Sequence, residues 1–423
     1  MITRNVKVLH IVHQYPPDHL GGTELYTRHL AQKQAADGHN PTVYVPAASG
    51  EPRPAPVLEQ GVRVYRQRIG SDSRPAVFLR TFWNHSAITF LEHILDQEQP
   101  ELAHIQHLMG LPAGLVEVLN ERGIPYVLTL HDYWTICANA QLLTNYDQTL
   151  CAGPDRFLNC ARCVQARSGL PDLAVAGHGL APLLARRNRL LARLLSGAQA
   201  IIAPSEFVRD ETVRLGAPSE RMVIVPHGIQ LPAVMPARRR PATGQLQVVY
   251  VGGITWQKGV HVLVEAAAGL PDGVQVTIYG DLSAKAEYAT ALRRLARSAK
   301  VTFAGRLEHD EVWMALAAAD VVVVPSLWYE TSSLIAQEAR AAGALVIASN
   351  LGALPERLAD GQDGLLFPAG DAAVLRRLLR ELHSRPERLC ELQAAITPVR
   401  QIDDHVHDIA TVYRSVLRIS NSP

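Results

Sequence analysis

The stretch that decides the fold is Val321–Val322–Val323–Val324–Pro325–Ser326–Leu327–Trp328–Tyr329–Glu330–Thr331–Ser332–Ser333, with Glu338–Ala339 close behind. Four consecutive valines form an unbroken apolar run, the pattern of a parallel strand buried on both faces. The residues after it turn polar, and the pattern then becomes helical as far as Gly343. A strand thus ends and a helix begins with Glu330 at the junction and Glu338 inside the helix. Eight helical residues rise about 12 Å, which suits the span from the sugar to the ribose of a nucleotide-sugar. The helix start between the two acids, at Ser332 and Ser333, offers free backbone N–H groups and a positive dipole end, which suit a diphosphate. Two glutamates eight apart on a helix are commonly no more than a solvated pair. What sets this pair apart is Glu330 at the carboxyl end of a buried strand, where ligands of open α/β sheets bind.

Outward from this stretch, strands and helices alternate through both halves of the chain. In the first half, strands are expected at Val6–His13, Thr42–Val45, Val62–Arg68, Leu102–Gln106, Tyr126–Leu130, Ala200–Ala203 and Met222–Val225, with helical patterns at Glu24–Ala36 and Phe82–Leu95. In the second, they are expected at Gln247–Val251, Val274–Tyr279, Val301–Ala304, Val321–Val324, Leu345–Ala348 and Gly364–Phe367. Such alternation implies βαβ units and parallel sheets. The fold class is α/β, with two doubly wound Rossmann-like domains facing a cleft, a preferred place for ligands. Leu231–Gly244, with Pro232, Pro236, Pro241 and three arginines at Arg238–Arg240, reads as the linker. The domains are then 1–229 and 245–402, with a helix at 403–419 packing back on the first.

At 423 residues the chain is too long for one ordinary core. Its net charge of +1 lacks the basic excess of a nucleic-acid binder. No apolar run reaches the length of a membrane span. Met1–Lys7 passes straight into a strand pattern without the features of a signal peptide. A cytoplasmic protein is the expectation.

Further motifs sit at strand ends. Gly21–Gly22 precedes a helix, where paired glycines allow positive φ and close approach of a ligand, or simply a turn. Gly252–Gly253 is followed by Lys258–Gly259, placing a cation where it can pair with phosphate or lie exposed in a first turn. Neither stretch is Gly-x-Gly-x-x-Gly, so the dinucleotide fingerprint is absent. His131–Asp132 ends a strand, and His131 can meet a sugar hydroxyl or reacting group, or be a satisfied structural residue. Cys137, Cys151, Cys160 and Cys163 (spacing Cys-x13-Cys-x8-Cys-x2-Cys) can close a structural zinc site or, less readily, hold an iron–sulfur cluster, remain reduced thiols, or include a redox pair. Ala185–Leu195 is a basic amphipathic pattern that suits either an anionic membrane surface or a helix half in the core.

Together these pieces resemble glycosyltransferase family 4, with its two-domain GT-B fold, over nearly the whole chain. The most specific portion is Pro325–Ser326 through Glu330 and Glu338–Ala339, then Ala342–Gly343, Val346–Ile347–Ala348–Ser349 and Gly352. Gly21–Gly22–Thr23–Glu24, His131–Asp132, Ala203–Pro204–Ser205, Gly252, Lys258–Gly259, Gly305–Arg306 and Asp363–Gly364–Leu365–Leu366 also fit.

The resemblance implies a retaining transfer of sugar from a nucleotide diphosphate sugar, without a catalytic metal. It implies that Glu330 binds the donor sugar's hydroxyls and faces its reacting carbon, that Glu338 binds the ribose, and that Lys258 holds the diphosphate with backbone near Thr331, Ser332 and Ser333. Gly22 would pack under the diphosphate and acceptor, and His131 would contact the sugar near the reaction centre. Many members carry an Arg in a Val-Gly-Arg-Leu pattern where this chain has Gly253, so the diphosphate lacks one cation; Lys258, the helix end or Arg306 would then neutralise it. The Cys-rich insertion at about 137–163 is similar to one in some relatives. The acceptor is a glycan, a lipid-linked species or a small molecule, no nucleic acid is expected, and a peripheral location at the inner membrane face is open. A nucleotide-sugar epimerase or hydrolase on the same fold, or a non-catalytic sugar-nucleotide binder, are the competing readings.

Overall fold

A computed structural model describes all residues except 1–4, 48–54, 72, 170–173, 239–243, 284 and 421–423. The chain divides into two compact units, one of residues 1–226 plus 402–423, the other of residues 227–401. The expected linker falls inside the second unit, and its Arg239, Arg240 and Pro241 lie outside the described residues.

The first unit carries β1 (Lys7–Ile11), β2 (Asn40–Ala47), β3 (Val57–Glu59), β4 (Val62–Arg68), β5 (Leu102–Ile105), β6 (Tyr126–Thr129), β7 (Ala200–Ala203) and β8 (Met222–Ile224). They form one sheet in the order β3-β4-β2-β1-β5-β6-β7-β8. Every neighbouring pair is parallel except β3 with β4. The central strands β1, β5, β6 and β7 read as apolar runs because helices cover both their faces. One cover is the terminal helix Ile402–Ser420. Its Ile402, Val406, Ile409, Val412, Tyr413 and Val416 pack with Val8, Leu102, Val127 and Ile202 in a single buried cluster. The apolar residues recur at three- and four-residue spacing, so one stripe faces the sheet.

The second unit carries β9 (Leu246–Val251), β10 (Val274–Tyr279), β11 (Val301–Gly305), β12 (Val321–Val324), β13 (Leu345–Ser349) and β14 (Leu365–Phe367). Their order is β11-β10-β9-β12-β13-β14, all parallel. The order reverses between β9 and β12, the place where a doubly wound sheet opens a crevice at its carboxyl end. The deciding stretch lies at this point: Val321–Val324 is β12, buried throughout.

The expected helix Phe82–Leu95 runs instead from His85 to Glu98, capped by Asn84, whose side chain accepts from Ala87 N, and a separate short helix, Arg74–Arg80, precedes it. An Asn cap at that place competes with helix continuation and starts a new one. Among the described residues no helix is long and apolar enough to cross a membrane. The basic pattern Ala185–Leu195 belongs to the helix Ala174–Gly197. Its Leu191, Leu194, Leu195 and even Arg187 are buried, while Arg186, Arg189 and Arg193 face solvent. This stripe is occupied by the core of the first unit, so it is not the free apolar face that an interfacial helix needs.

Candidate active site

In the second unit, the turn after β12 gathers three donors on one carboxylate oxygen. Glu330 Oε1 accepts from Lys258 Nζ at 2.8 Å, Ser326 Oγ at 2.6 Å and Trp328 Nε1 at 2.9 Å. Burial alone would raise its pKa, but the Lys258 charge and the three hydrogen bonds outweigh burial and hold it below the usual value. Glu330 is therefore an ionised, fixed carboxylate. Lys258 also lies over the Trp328 ring, 5.1 Å from its centroid.

Two glycines make this junction possible. Gly259 has φ +67°, and a Cβ there would stand 1.7 Å from the Pro325 carbonyl oxygen. This close approach seats the loop before it against the β12 turn, where Leu327 N donates to Gln257 O at 2.8 Å, and so brings Lys258 to Glu330. Gly352, at φ +62°, presses on Glu330 itself, its Cβ position being 2.8 Å from Glu330 N. Lys258 sits in a single 3-10 turn, Trp256–Lys258, rather than opening the helix, which runs Val260–Ala267.

The helix after the turn is shorter than its pattern suggests. It spans Leu334–Ala341, and Ser333 ahead of it has a left-handed φ of 53° with no side-chain cap. The expected eight-residue helical rise from Glu330 to Glu338 is thus half turn and half helix. The left-handed Ser333 breaks the helix because only from Leu334 do the backbone angles allow it to propagate. The uncapped first turn leaves backbone N–H groups for a ligand. Thr331 and Ser332 are buried beside it. Glu338 lies one turn into the helix. Its carboxyl makes no hydrogen bond or ion pair among the described residues, and burial pushes it up to about 7. The helix is clamped from behind by a buried ion pair, Arg340 Nη2 to Asp363 Oδ2 at 2.6 Å, with Thr397 Oγ1 at 2.9 Å from the same nitrogen. Asp363, part of a matching motif, is therefore structural.

Gly253, on the same rim, meets open space: a Cβ there finds nothing within 4 Å. Its carbonyl accepts from Tyr250 OH at 2.8 Å. Arg306 is exposed on β11's far side of the sheet order.

In the first unit, the carboxyl ends of β1, β5 and β6 collect histidines. His107 Nδ1 accepts from Met109 N at 3.1 Å, so its Nε2 carries the proton and donates to Asp132 at 3.1 and 3.2 Å. Asp132 also accepts from Trp134 N, and these partners hold its pKa down despite burial. His13 Nε2 stands 3.6 Å from Glu24, while its buried Nδ1 has no hydrogen-bond partner among the described residues. Burial raises the pKa of Glu24.

Gly21 is needed here for space rather than for φ. Its φ is −80°, and a Cβ would lie 2.4 Å from Glu24 Oε2, which folds back over it. Gly22 is the first residue of the helix Gly22–Ala36, and neither glycine has positive φ.

His131 donates from Nε2 to Gln106 Oε1 at 2.9 Å. Burial first, then repulsion from His107, pulls its pKa down to about 3. It is thus a neutral donor, and a proton-transfer role at neutral pH does not suit it. Behind it runs a directional chain. Gln106 Nε2 donates to His10 Nδ1 (3.1 Å), His10 Nε2 to Gln34 Oε1 (2.7 Å) and Gln34 Nε2 to Tyr413 OH (3.3 Å). Tyr413 OH then donates to His104 Nδ1 (2.6 Å), and His104 Nε2 to Thr129 Oγ1 (2.7 Å). Each group's second atom dictates the next donor, so all three histidines are held neutral in one tautomer each. Of the residues in this chain, only His131 stood out in the sequence. His10 and His104 look there like polar interruptions of apolar strands, which is itself the signal of a buried network.

The four cysteines are free thiols. Among the described residues no group of three or more His, Cys, Asp or Glu side chains is arranged to hold a metal ion. Cys163 Sγ instead accepts from Asn139 Nδ2 (2.9 Å), Asn145 N (3.3 Å) and Asn145 Nδ2 (3.2 Å), and burial pushes the Cys160 thiol up to about 12.

The fold and the glutamate-bearing turn define a GT-B glycosyltransferase. Residues 20–231 match Glycosyltransferase Family 4, and residues 235–397 match Glycosyl transferases group 1. The chain belongs to glycosyltransferase family 4. It is 28% identical over 394 residues to a glycogen synthase of Mycobacterium tuberculosis, covering 90% of this chain and 87% of that one. It is 28% identical over 393 residues to a D-inositol 3-phosphate glycosyltransferase of Pseudarthrobacter chlorophenolicus, covering 86% and 83%. The fold is shared with sucrose-phosphate synthase of Thermosynechococcus elongatus (TM-score 0.77, 20% identity, 98% of this chain and 100% of that one). It is also shared with the Anabaena protein HepE, solved with UDP and glucose (TM-score 0.67, 16% identity, 97% and 100%).

Proposed function

We propose that this glycosyltransferase moves a sugar, with retention of configuration, from a nucleotide diphosphate sugar to a hydroxyl of a glycan, glycolipid or small-molecule acceptor. The observation that carries the donor half is the β12 turn. A fixed carboxylate, an uncapped helix start and a second, unpartnered carboxyl follow one another within nine residues, Glu330 to Glu338. The resemblance of these residues to the family's signature assigns their order: sugar at Glu330, diphosphate at the helix start with Lys258, ribose at Glu338. The UDP and glucose bound by HepE support the same class of donor.

Glu330 shares Lys258 before the donor arrives. The diphosphate offers Lys258 a stronger partner, since ammonium–phosphate pairs are charge-assisted. When Lys258 turns to the phosphate, it stabilises the departing charge, and Glu330 keeps Ser326 and Trp328 as positioners while its free lone pairs meet sugar hydroxyls. The acceptor hydroxyl attacks on the face the leaving group vacates, and the departing phosphate oxygen takes its proton. No side chain of the chain needs to act as a base, which agrees with a His131 held neutral. His131 is assigned to contact with the sugar near the reaction centre, and the loops of the first unit to the acceptor.

The test is Glu330→Ala. Calorimetric titration with a panel of nucleotide sugars should show binding within about tenfold of wild type, while transfer falls by at least 10²-fold, the scale of losing one electrostatic contact in a transition state. Unchanged transfer would remove Glu330 from the reaction. Free sugar or an epimer released without acceptor would point to the hydrolase or epimerase reading instead.

A further inference from the structure

The first unit contains a cavity of about 390 Å³ that the donor-side reading leaves without a role. Its walls are apolar at Phe78, Met109, Trp134 and Leu180, yet three arginines line it: Arg74, Arg167 and Arg187. Through Val77 and Met109 it adjoins a second cavity of about 180 Å³, which reaches His13 and His19 at the carboxyl end of β1.

The arginines are unusual in what they lack. Arg187 is 3% exposed, donates from Nη2 to Trp134 O at 2.7 Å and stacks over the Trp134 ring at 4.8 Å. Arg167 donates to Asn139 O at 2.6 Å, and Arg74 donates to Arg167 O. Among the described residues none of the three pairs with a carboxylate. The Cys137 thiol and the Asp132 carboxylate both act on Arg187 and Arg167, and Asp132 is already engaged by His107 and Trp134 N. Arg187 is the buried one of the three, while Arg74 and Arg167 reach the cavity from exposed positions; a buried charge without a counter-ion is costly, and like charges side by side add to the cost. Burial lowers the pKa of Arg187, and for Arg167 partial loss of hydration and then the Arg74 charge do the same. An anion entering the cavity offsets both costs, and arginine forks match phosphate or carboxylate in two-pronged geometry.

We propose that this cavity is the acceptor's recognition pocket, and that the acceptor is an amphipathic anion: a phosphate or carboxylate carried on an apolar or aromatic body. The anionic group meets Arg74, Arg167 and Arg187, the apolar body lies on Phe78 and Trp134, and the hydroxyl-bearing end extends past Val77 and Met109 toward His13. This inference rests on the glycosyl-transfer reading for the word acceptor, but not for the pocket's chemistry.

The experiment titrates the full chain with phenyl phosphate, geranyl phosphate, inorganic phosphate and benzyl alcohol, followed by Trp fluorescence and by thermal shift. Both organic phosphates, or one of them, should bind at least tenfold tighter than inorganic phosphate and than benzyl alcohol. The tighter of the two names the source, an aromatic metabolite or a prenyl lipid. The double variant Arg74→Ala/Arg167→Ala should weaken that binding at least tenfold with an unchanged melting temperature and unchanged nucleotide-sugar binding. Arg187→Lys, which keeps the charge but loses the fork and the stack, should weaken it also. Equal binding of inorganic phosphate, equal binding of benzyl alcohol, or full binding by the double variant each overturns the proposal. If nucleotide sugar binds and no organic phosphate does, the pocket falls alone. If the organic phosphates bind and no nucleotide sugar does, the donor reading falls and the pocket stands.

Discussion

Glu338 and Gly253 show how far single residues depart from what their neighbours in sequence require. Glu338 is a carboxyl whose folded pKa of about 7 lies above its ordinary 4.5 because burial disfavours its charge. In the window between those values the folded chain holds a proton that the unfolded chain releases, so stability falls as pH rises through it. Glu338→Gln removes that penalty. Its melting temperature should match wild type at pH 4 and exceed it at pH 8, by on the order of 1–3 kcal/mol in stability, while nucleotide-sugar affinity drops. A gap that did not change with pH would place the carboxyl in solvent. Gly253, where many resembling sequences carry Arg, is open on its Cβ side. Gly253→Arg should fold as wild type and tighten binding of a nucleoside diphosphate several-fold at low salt, with the gain shrinking as salt rises. Isothermal titration at two ionic strengths decides it. The sequence showed the missing cation; only the structure shows the room for it.

At the scale of elements, the site is a junction rather than a helix. The β12 turn, the loop ending at Gly259 and the left-handed Ser333 hold Lys258 against Glu330 across 72 residues of chain. Gly259→Ala would drive a Cβ into the Pro325 carbonyl at a φ that L residues avoid. The loop must then move away, at a cost of more than about 2 kcal/mol. Thermal unfolding should show that loss, and nucleotide-sugar affinity should fall with it because Lys258 leaves its place. Retained stability and affinity would mean that the loop is not seated by this contact. The strand of this junction was legible from four valines, since a doubly covered strand leaves an apolar run. The turn was not, because φ at Ser333 and the seating of Gly259 follow from backbone meeting backbone, not from residue type. β3 was missed for a different reason. It is three residues long, antiparallel and at the sheet edge, with Val57 and Leu58 exposed, so it carries no buried face to leave a pattern.

For the whole molecule, the last helix belongs to the first unit, although the entire second unit precedes it in the chain. Tyr413 stands where the two ends of that unit meet, between Gln34 and His104 and in line with His131. Tyr413→Phe keeps the packing but leaves two buried polar groups without their partner. A loss of about 1–3 kcal/mol is expected on denaturant unfolding, with His104 free to change tautomer, seen as a shift of its ring resonances. An unchanged stability would mean that water replaces the hydroxyl. The apolar periodicities of the sequence determined the strands, the parallel sheets and the alternation that makes two doubly wound units, because burial of one face is a local demand on residue type. The tertiary structure alone decided that Glu330 takes three donors on one oxygen, that Glu338 takes none, that Cys163 Sγ accepts from Asn139 and Asn145, and that three arginines line one apolar cavity. These depend on which strand ends come together in space, and residue types along a chain carry no record of partners tens or hundreds of positions away.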